Sequence, residues 1–301
     1  MTALAPTHGG YEATELHEVL HRACTAVGLN SADARLLRGH TNAVVALDQA
    51  PVVVKIARRG TPPPTVARTV QFVEWLIHRD FPTVPLHPVK QPIVIDGHAV
   101  TFWTYLPQPS YPVTAEQLAK PLHTLHNLPE PPVRLPGHDN VRAIQKSLSA
   151  ATSLTPRDRE FLSDRSERLA DELEQVKFVF PAAVIQGDPQ HRNALHHPSG
   201  QPVLCDWDTV AHGQPEWDLV TVEVHCRRFG YGRRHYEAFA GTYGFDVTRW
   251  SGYQVLRDIR ELRMITTNAR KVTHSPASIP ELKRRIEGLR SGNDRLQWNI
   301  L

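Results

Sequence analysis

Apolar residues recur with two different periods along the chain, and the change of period divides it into two regions. Up to about residue 105, short apolar runs alternate with turns, which is typical of a small sheet. Helical spacing predicts one helix over residues 11–28 and a second over 65–80, inserted between strands. The runs that we predict as strands are Ala34–Leu37, Ala43–Leu47, Val52–Ile56, Ile93–Ile95 and Ala99–Trp103.

After residue 104 helical spacing dominates. Helices are predicted over 114–127, over 157–176 and through most of the chain from Trp217 onward, with a Pro-containing break near Ser275–Pro280. Short strands and turns separate the second of these helices from the third. We therefore predict two domains, a sheet-rich one over residues 1–104 and a mainly helical one over residues 105–301.

Two polar segments interrupt the apolar pattern of the second region. The sequence Gln-Gly-Asp-Pro-Gln-His-Arg-Asn occupies positions 186–193, and Cys-Asp-Trp-Asp occupies 205–208, each after a short apolar run. They supply Asp188 as a candidate base, with Asn193 and Asp206 as candidate oxygen ligands for Mg²⁺. Magnesium prefers a few carboxylate or carbonyl oxygens together with substrate phosphates. Phosphoryl transfer from ATP requires this combination.

Structural alternatives exist for each of these residues. Asp188 and Asn193 can be simple turn residues, because Asp and Asn favour turns. Asp206 is harder to explain structurally, since it follows an apolar run where an unpaired carboxylate is costly and a metal ion would compensate it. Asp208 is either an additional ligand or an exposed residue with local hydrogen bonds. Lys55 ends a run of three valines, a position where a strand rarely carries lysine without a reason.

Composition limits the class of protein. An apolar content of 41% is ordinary for a globular protein, and no apolar run reaches the ~18 residues of a membrane helix. The first ten residues lack a basic start followed by an apolar stretch, so we predict no secretory signal and a cytoplasmic location. Three distant cysteines argue against a disulfide framework or a zinc site.

The net charge of +3 conceals a basic C-terminal part. Residues 226–301 hold 15 Lys and Arg against 7 Asp and Glu, a local charge of +8. Such a segment can bind an anionic partner, including nucleic acid. The aromatic residues that a single-strand binder interleaves with its basic residues are missing, so we favour solvated helix faces over a nucleic-acid partner.

The order of these elements resembles the aminoglycoside phosphotransferase-related family of small-molecule kinases. The family motif is similar to His-Gly-Asp-x-His-x-x-Asn, followed by a hydrophobic residue with Asp-Trp or Asp-Phe, and then by Asp-Leu. Here these segments are 186–193, Leu204–Asp208 and Trp217–Leu219. The resemblance runs from about Gly39 to Leu262. It implies an α+β, bilobal protein-kinase-like fold with a small β-rich N-terminal lobe and a larger, mainly helical C-terminal lobe.

The resemblance also implies roles for individual residues. Asp188 would be catalytic and orient the acceptor hydroxyl, while Asn193 and Asp206 would hold Mg²⁺. Asp218 would tie the catalytic loop by hydrogen bonds. The cofactor would be ATP, with GTP as an alternative, and its implied contacts are Lys55, Thr41, Asn42, Glu74, Thr104, Tyr105 and Leu106.

Within that nucleotide set, Lys55 would contact the α- and β-phosphates, and Thr41 and Asn42 would lie in the loop Gly39–Ala43 that covers them. Residues Trp103–Leu106 would form the hinge whose backbone pairs with adenine. The lysine's usual partner is a helix glutamate. The helix over 65–80, with Val66, Val70, Val73 and Ile77 as its apolar stripe, offers only Glu74.

The implied substrates are aminoglycoside-like antibiotics, amino sugars and amino alcohols, with a role in antibiotic resistance. Such a cationic acceptor needs carboxylates, and the candidates are Glu216, Glu223, Asp258 and Glu261. Arg257, Arg260 and Arg263 crowd the same predicted helix, which leaves a neutral or acidic acceptor open.

Two departures from the family motif keep a second function open. The leading His of the motif is Gln186 here, and the second is displaced from position 190, which is Gln, to His191. Glutamine can replace histidine as donor and acceptor but does not titrate near neutrality. Because phosphoryl transfer depends mainly on positioning and charge, we expect a small-molecule kinase. The alternative is a non-catalytic, kinase-like nucleotide-binding protein.

Overall fold

The computed structural model describes residues 11–39, 41–272 and 276–300, and the chain divides into two compact units. The first unit runs to Pro112 and adds Pro131–Leu135 and Leu195–Asp208. The second comprises Val113–Glu130, Pro136–Ala194 and the chain from Thr209 onward. The predicted boundary after residue 104 stays a prediction. The segment 1–10, on which the prediction of a missing signal depends, lies outside the described residues, as does His40.

An antiparallel sheet of five strands forms the centre of the first unit. The strand order is β1-β2-β3-β5-β4. In β3 the buried side chains alternate, so Val52, Val54 and Ile56 face the core while Val53 and Lys55 face the other side. The strands are β1 (Arg35–Gly39), β2 (Ala43–Leu47), β3 (Val52–Ile56), β4 (Ile93–Ile95) and β5 (His98–Thr104).

Two helices accompany this sheet. Helix α1 (Ala13–Ala26) contributes Leu16, Val19 and Leu20 to a core that it shares with the sheet. Helix α2 (Pro63–Ile77) begins after Pro62 with proline in its first turn, where the missing N–H is not needed.

The second unit is built mainly from helices around a short two-stranded sheet. Helix α6 has no polar side, and almost all of its residues are buried, as expected of a helix in the centre of a core. The sequence pattern did not predict α4, which buries only Ile144, Ser147 and Leu148. The helices are α3 (Ala115–His126), α4 (Asn140–Ala150), α5 (Pro156–Glu174), α6 (Pro215–Arg228), α7 (Arg233–Tyr243), α8 (Tyr253–Lys271) and α9 (Ile279–Arg290).

Four short strands flank the two polar segments. Strands β6 (Ala183–Ile185) and β9 (Ala211–Gly213) pair antiparallel, and β7 (Ala194–His196) pairs with β8 (Pro202–Leu204). Segment 186–193 follows β6 directly, and Cys205 follows β8. No helix among the described residues is long and apolar enough to cross a membrane.

Candidate active site

Lys55 stands between two carboxylates in the first unit. Its Nζ lies 2.8 Å from Oδ1 of Asp206 and 2.8 Å from Oδ1 of Asp208, and 16% of its side chain is exposed. Burial opposes the charged form, but Asp206 and Asp208 outweigh it and raise the pKa of Lys55 above its ordinary value. Lys55 therefore remains an ammonium at neutral pH, and the three side chains together carry one net negative charge.

Asp206 occupies a backbone conformation that L-residues rarely adopt. Its φ is +59°, in the left-handed region, where Asp is tolerated better than most side chains. The next residue anchors the turn: Trp207 is 1% exposed, and its indole Nε1 donates to Oγ1 of Thr83 at 2.9 Å. Such strain is typical of functional sites, because the surrounding structure must hold it.

Asn42, in the loop between β1 and β2, joins the group formed by Lys55, Asp206 and Asp208. Its Nδ2 donates to Oδ2 of Asp208 at 2.6 Å. Asp208 therefore binds both Lys55 and Asn42, which is more than an isolated exposed carboxylate does. We define Lys55, Asn42, Asp206 and Asp208 as the lysine cluster of the first unit.

Asp188 is held in the second unit by four neighbours. Its N–H donates to Oε1 of Gln186 at 2.7 Å, and its Oδ2 accepts from Gln190 at 2.9 Å and from Asn193 at 3.3 Å. Its Oδ1 accepts from Nη2 of Arg260 in an ion pair. The side chain is nevertheless 25% exposed, so a ligand can reach it.

Asn193 presents an oxygen without a partner. Its Nδ2 donates to the carbonyl of Asp188 at 2.9 Å, which orients the amide. Its Oδ1 is buried and accepts no hydrogen bond from any described residue. A buried amide oxygen without a donor is costly, and oxygen ligands of this kind suit Mg²⁺. Asn193 therefore fits the role of metal ligand that the sequence predicted, and that role stays a prediction.

Asp218 fixes the backbone that precedes Asp188. It is fully buried; its Oδ2 accepts from the amide of Gln186 at 2.8 Å and its Oδ1 from the amide of Gly187 at 2.9 Å. His126, which is also buried, donates to Oδ2 at 3.0 Å. Asp218 therefore ties the segment that precedes Asp188 by hydrogen bonds, which is the structural role that the resemblance implied.

Gly187 cannot be replaced without moving the loop. Its φ is +83°, and a Cβ added there would collide with the backbone carbonyl of Thr209. The Oγ1 of Thr209 donates to the carbonyl of Gln186 at 2.9 Å, and Nε1 of Trp217 donates to the carbonyl of Gly187 at 2.8 Å. Gln186 is fully buried, so it serves this loop as a hydrogen-bonding residue and needs no titration.

His191, the displaced histidine of the motif, is taken up by a stack of aromatic rings. It is 3% exposed, its ring lies parallel to Tyr231 with centroids 3.9 Å apart, and its Nε2 is 3.1 Å from Nε2 of His235. Burial, assisted by His235, lowers its pKa to about 4. It is therefore neutral at physiological pH.

Three buried histidines make the fold sensitive to acid. Burial lowers the pKa of His191 and of His138 to about 4, with Arg263 adding to the effect at His138, and lowers that of His225 well below 6.5, with Arg260 adding there. The unfolded chain binds these protons near pH 6.5, whereas the folded chain binds those of His138 and His191 only near pH 4 and that of His225 only well below pH 6.5. Stability is therefore complete above pH 6.5 and is lost as the pH falls toward 4.

We expect the free energy of unfolding to be lower at pH 5 than at pH 7, by at most about 1.4 kcal/mol per pH unit for each histidine. Urea unfolding at the two pH values measures this difference. His191→Gln should reduce it, whereas the exposed His17→Gln should not. An equal difference in wild type and both variants would contradict the assignment to His191.

The pairing of Glu74 with Lys55 is not seen in the structure, and the assignment of Glu74 to the nucleotide site stays a prediction. Glu74 lies on the exposed face of α2 and, among the described residues, makes no ion pair, while Lys55 pairs with Asp206 and Asp208. The buried face of α2 includes Thr69, Phe72 and Leu76 and excludes Ile77, which is 38% exposed. An acid at position 69 would face inward, but Thr69 stands there and donates to the carbonyl of Thr65.

The four carboxylates predicted for a cationic substrate all have internal partners. Glu216 accepts from the amides of Val179 and Phe180 at 2.6 and 3.0 Å. The other three form ion pairs with arginines: Glu223 with Arg227, Asp258 with Arg165 and Arg257, and Glu261 with Arg227 and Arg228. Buried carboxylates require such partners. The assignment of Glu216, Glu223, Asp258 and Glu261 to substrate stays a prediction.

The hinge has one amide left for a nucleotide. The amide of Thr104 donates to the carbonyl of Pro85 at 2.9 Å, and that of Tyr105 donates to Pro51 at 2.8 Å. The amide of Leu106 makes no hydrogen bond with any described residue. Of the three hinge residues that were predicted to contact the nucleotide, Leu106 is therefore best placed to pair with a base. Thr41 is exposed, as the loop prediction requires.

Sequence reasoning missed the partner of Asp188. Arg260 lies 72 positions away along the chain, and the only signal was the repetition of arginine at 257, 260 and 263. That spacing places Arg260 and Arg263 near one another on α8.

The fold is protein-kinase-like. The model of the phosphotransferase enzyme family, APH, matches residues 33–258, and the chain belongs to this family. No curated protein matches the chain. The predicted fold class, α+β and kinase-like with a β-rich N-terminal lobe and a helical C-terminal lobe, is confirmed, as is the prediction of a phosphotransferase enzyme.

Three solved structures are similar to the chain at low identity and show the fold. The choline kinase LicA from Streptococcus pneumoniae has a TM-score of 0.68 and 16% identity, covering 92% of this chain and 99% of its own. The amicoumacin kinase hAmiN, in complex with AMP-PNP, Ca²⁺ and Ami, has a TM-score of 0.68 and 13% identity, and the match covers 94% of this chain and 95% of the kinase. The aminoglycoside phosphotransferase APH(2'')-Ib with ADP has a TM-score of 0.61 and 13% identity, and the match covers 93% of this chain and 99% of the phosphotransferase.

Proposed function

We propose that the protein transfers the γ-phosphate of ATP to a hydroxyl group of a small molecule in an Mg²⁺-dependent reaction. The observation that carries this proposal is the lysine cluster, in which a buried ammonium is flanked by two carboxylates. An ammonium suits phosphate oxygens, and the carboxylates suit a divalent cation. The net negative charge of Lys55, Asp206 and Asp208 would be compensated by that cation.

The nucleotide would be bound by the residues that the family resemblance implies. Lys55 would contact the α- and β-phosphates, and the backbone and side chains of Thr41 and Asn42 would cover them. Asp206 and Asn193 would hold Mg²⁺, which supplies charge neutralisation at the phosphates. The free amide of Leu106 would pair with the base. Backbone pairing of this kind leaves GTP as an alternative nucleotide.

Asp188 would orient the acceptor hydroxyl. The hydroxyl oxygen forms a bond to the γ-phosphorus, the bond from that phosphorus to the β–γ bridging oxygen breaks, and ADP leaves. The hydroxyl proton passes to Asp188. Gln190 and Asn193, which donate to Oδ2 of Asp188, keep the carboxylate oriented while it does this. The cytoplasmic location and a role in antibiotic resistance stay predictions.

Replacing Lys55 tests the nucleotide assignment. We expect Lys55→Met to lower kcat/KM for ATP by about 10- to 100-fold, because one charge-assisted contact to phosphate contributes roughly 1.5–3 kcal/mol. Steady-state ADP formation with saturating acceptor measures this. Lys90→Met, which removes an exposed lysine from the same unit, should change nothing. Equal loss in both variants would show a general effect on folding instead.

The ion pair between Arg260 and Asp188 favours one alternative, a non-catalytic kinase-like protein that binds nucleotide. In such a protein the arginine would permanently occupy the carboxylate that should meet the hydroxyl. Calorimetry with Mg²⁺-ATP does not separate the two functions, since both predict binding. Incubation with Mg²⁺-ATP and an acceptor panel does, because only the enzyme forms ADP and a phosphorylated product. EDTA should abolish that product.

A further inference from the structure

The arginines of α8 differ in what neutralises them. Arg257 pairs with Asp258, and Arg260 pairs with Asp188. Arg263 has no carboxylate partner among the described residues. Its Nη1 donates to Oδ1 of Asn140 and lies 3.5 Å from Nε2 of His138, both uncharged acceptors. The positive charge of Arg263 is therefore stabilised by hydrogen bonds to neutral groups and not by a carboxylate.

The surroundings of Arg263 penalise its charge. Burial, together with repulsion from Arg260, lowers its pKa to about 10, although Asp188 opposes the shift. The guanidinium remains charged at neutral pH. A half-buried cation beside another cation gains stability when an anion approaches, and guanidinium binds planar oxygen anions through two parallel hydrogen bonds.

The remaining groups near Arg263 do not offset this charge. His138 is neutral, since burial and Arg263 lower its pKa to about 4. The nearest additional carboxylate, Asp139, is exposed and accepts from the amide of Arg142 as the cap of α4. The carboxylates of α6 and α8 have the partners described above, although Oε2 of Glu216 accepts no hydrogen bond from the described residues. Near Asp188, two positively charged arginines, Arg260 and Arg263, are thus matched by one negatively charged carboxylate.

A cavity of about 300 Å³ adjoins Arg263 within the second unit. His138 and Asn140, the two residues that touch Arg263, lie in its wall, and so does Trp217, whose ring is 5.8 Å from the guanidinium carbon. The same ring lies 5.7 Å from the guanidinium carbon of Arg260, which holds Asp188. Leu256 and Ile259 supply apolar wall. Arg263 and Asp188 are not part of this wall; the cavity is next to Arg263 through His138 and Asn140, and the ring of Trp217 relates it to the ion pair of Arg260 with Asp188.

We propose that the phosphate acceptor is an anion, a hydroxyl compound with a carboxylate or phosphate group that binds Arg263 while its hydroxyl meets Asp188. This inference rests on the proposed function and narrows its substrate class. It is the opposite of the cationic acceptor that the family resemblance implied. Arg260, which shares Asp188 and the Trp217 face, would add a second positive charge toward the same group.

The experiment compares acceptors that share a scaffold and differ in charge. One set is D-glucuronate, D-glucose and D-glucosamine; the other is glycerate, glycerol and serinol; inorganic phosphate and sulfate serve as minimal anions. Binding to the whole protein is measured by calorimetry without nucleotide, and transfer is measured by mass detection with Mg²⁺-ATP. The variants are Arg263→Gln, Arg263→Lys and the control Arg249→Gln, whose side chain is 88% exposed.

We expect the anions to bind more tightly than their neutral and cationic counterparts. Arg263→Gln should weaken anion binding on the order of 10- to 100-fold, the range of a charge-assisted contact. Arg263→Lys should restore part of it, and Arg249→Gln should match wild type. Partial rescue by lysine shows that charge at this position matters, because a lost packing contact would not be rescued in this way.

The outcomes separate this inference from the proposed function. Anion binding through Arg263 without transfer to any acceptor would reject the kinase activity and leave the anion site standing. Transfer to serinol or D-glucosamine in preference to the acids, with Arg263→Gln unaffected, would overturn the anionic acceptor and leave the kinase standing. Failure of every anion, including phosphate and sulfate, to bind in an Arg263-dependent way would also overturn it.

Discussion

Asp188→Asn is expected to lower kcat for phosphate transfer by about 10²- to 10⁴-fold, the usual contribution of a positioned general base. Asparagine keeps an oxygen that can accept from Gln190 and Asn193, so the loop should keep its conformation. It cannot take up the hydroxyl proton. The KM for ATP should change little, because the nucleotide is assigned to other residues. Steady-state kinetics at saturating ATP measure both constants.

The control for this variant is Asp164→Asn, which changes an exposed aspartate on α5. Its kinetics should equal those of wild type. Thermal unfolding of Asp188→Asn shows whether loss of the charge partner of Arg260 weakens the fold. A folded Asp188→Asn protein with full turnover would reject Asp188 as the group that receives the proton.

Asp218→Ala should destabilise the second unit by about 3–5 kcal/mol, as expected when one partner of a buried charged network is removed. The change leaves the amides of Gln186 and Gly187, and the ring of His126, without the carboxylate that accepts from them. Buried donors without acceptors are costly. Urea unfolding followed by tryptophan fluorescence measures the loss.

Asp218→Asn is the conservative comparison, since its single amide oxygen can satisfy part of the network. We expect a smaller loss of stability than with alanine. Both variants should also lose activity, because Asp218 fixes the backbone from which Asp188 projects. An unchanged unfolding midpoint in Asp218→Ala would mean that the three donors find other acceptors and that the loop does not depend on this residue.

The sequence predicted the parts of the fold that depend on local periodicity. The alternation of Val52, Val54 and Ile56 in β3 determines that Lys55 faces away from the core, and the structure shows the same alternation. The order of the motif segments predicted the structural role of Asp218. The helix pattern failed at α4, which buries only three residues, too few for a clear apolar stripe.

The contacts between distant charges could not be predicted in the same way. The i,i+4 spacing of Glu223 and Arg227 indicates their ion pair, but nothing local indicates that Glu216 accepts from the backbone at Val179. The predicted stripe on α2 included Ile77, one position beyond the buried face, and Glu74, the one glutamate of that helix, is exposed. Arg260 meets Asp188 only because the helix that carries it packs beside the catalytic loop.

The account depends most directly on whether phosphate is transferred at all. The decisive measurement is mass detection of products after incubation of wild type and Asp188→Asn with Mg²⁺-ATP and a panel of antibiotics, sugars, amino alcohols and hydroxy acids. We predict a phosphorylated acceptor together with ADP in the wild-type reaction, and neither product above background with Asp188→Asn or with EDTA. Tight binding of Mg²⁺-ATP without a phosphorylated product or ADP from any acceptor would contradict the account.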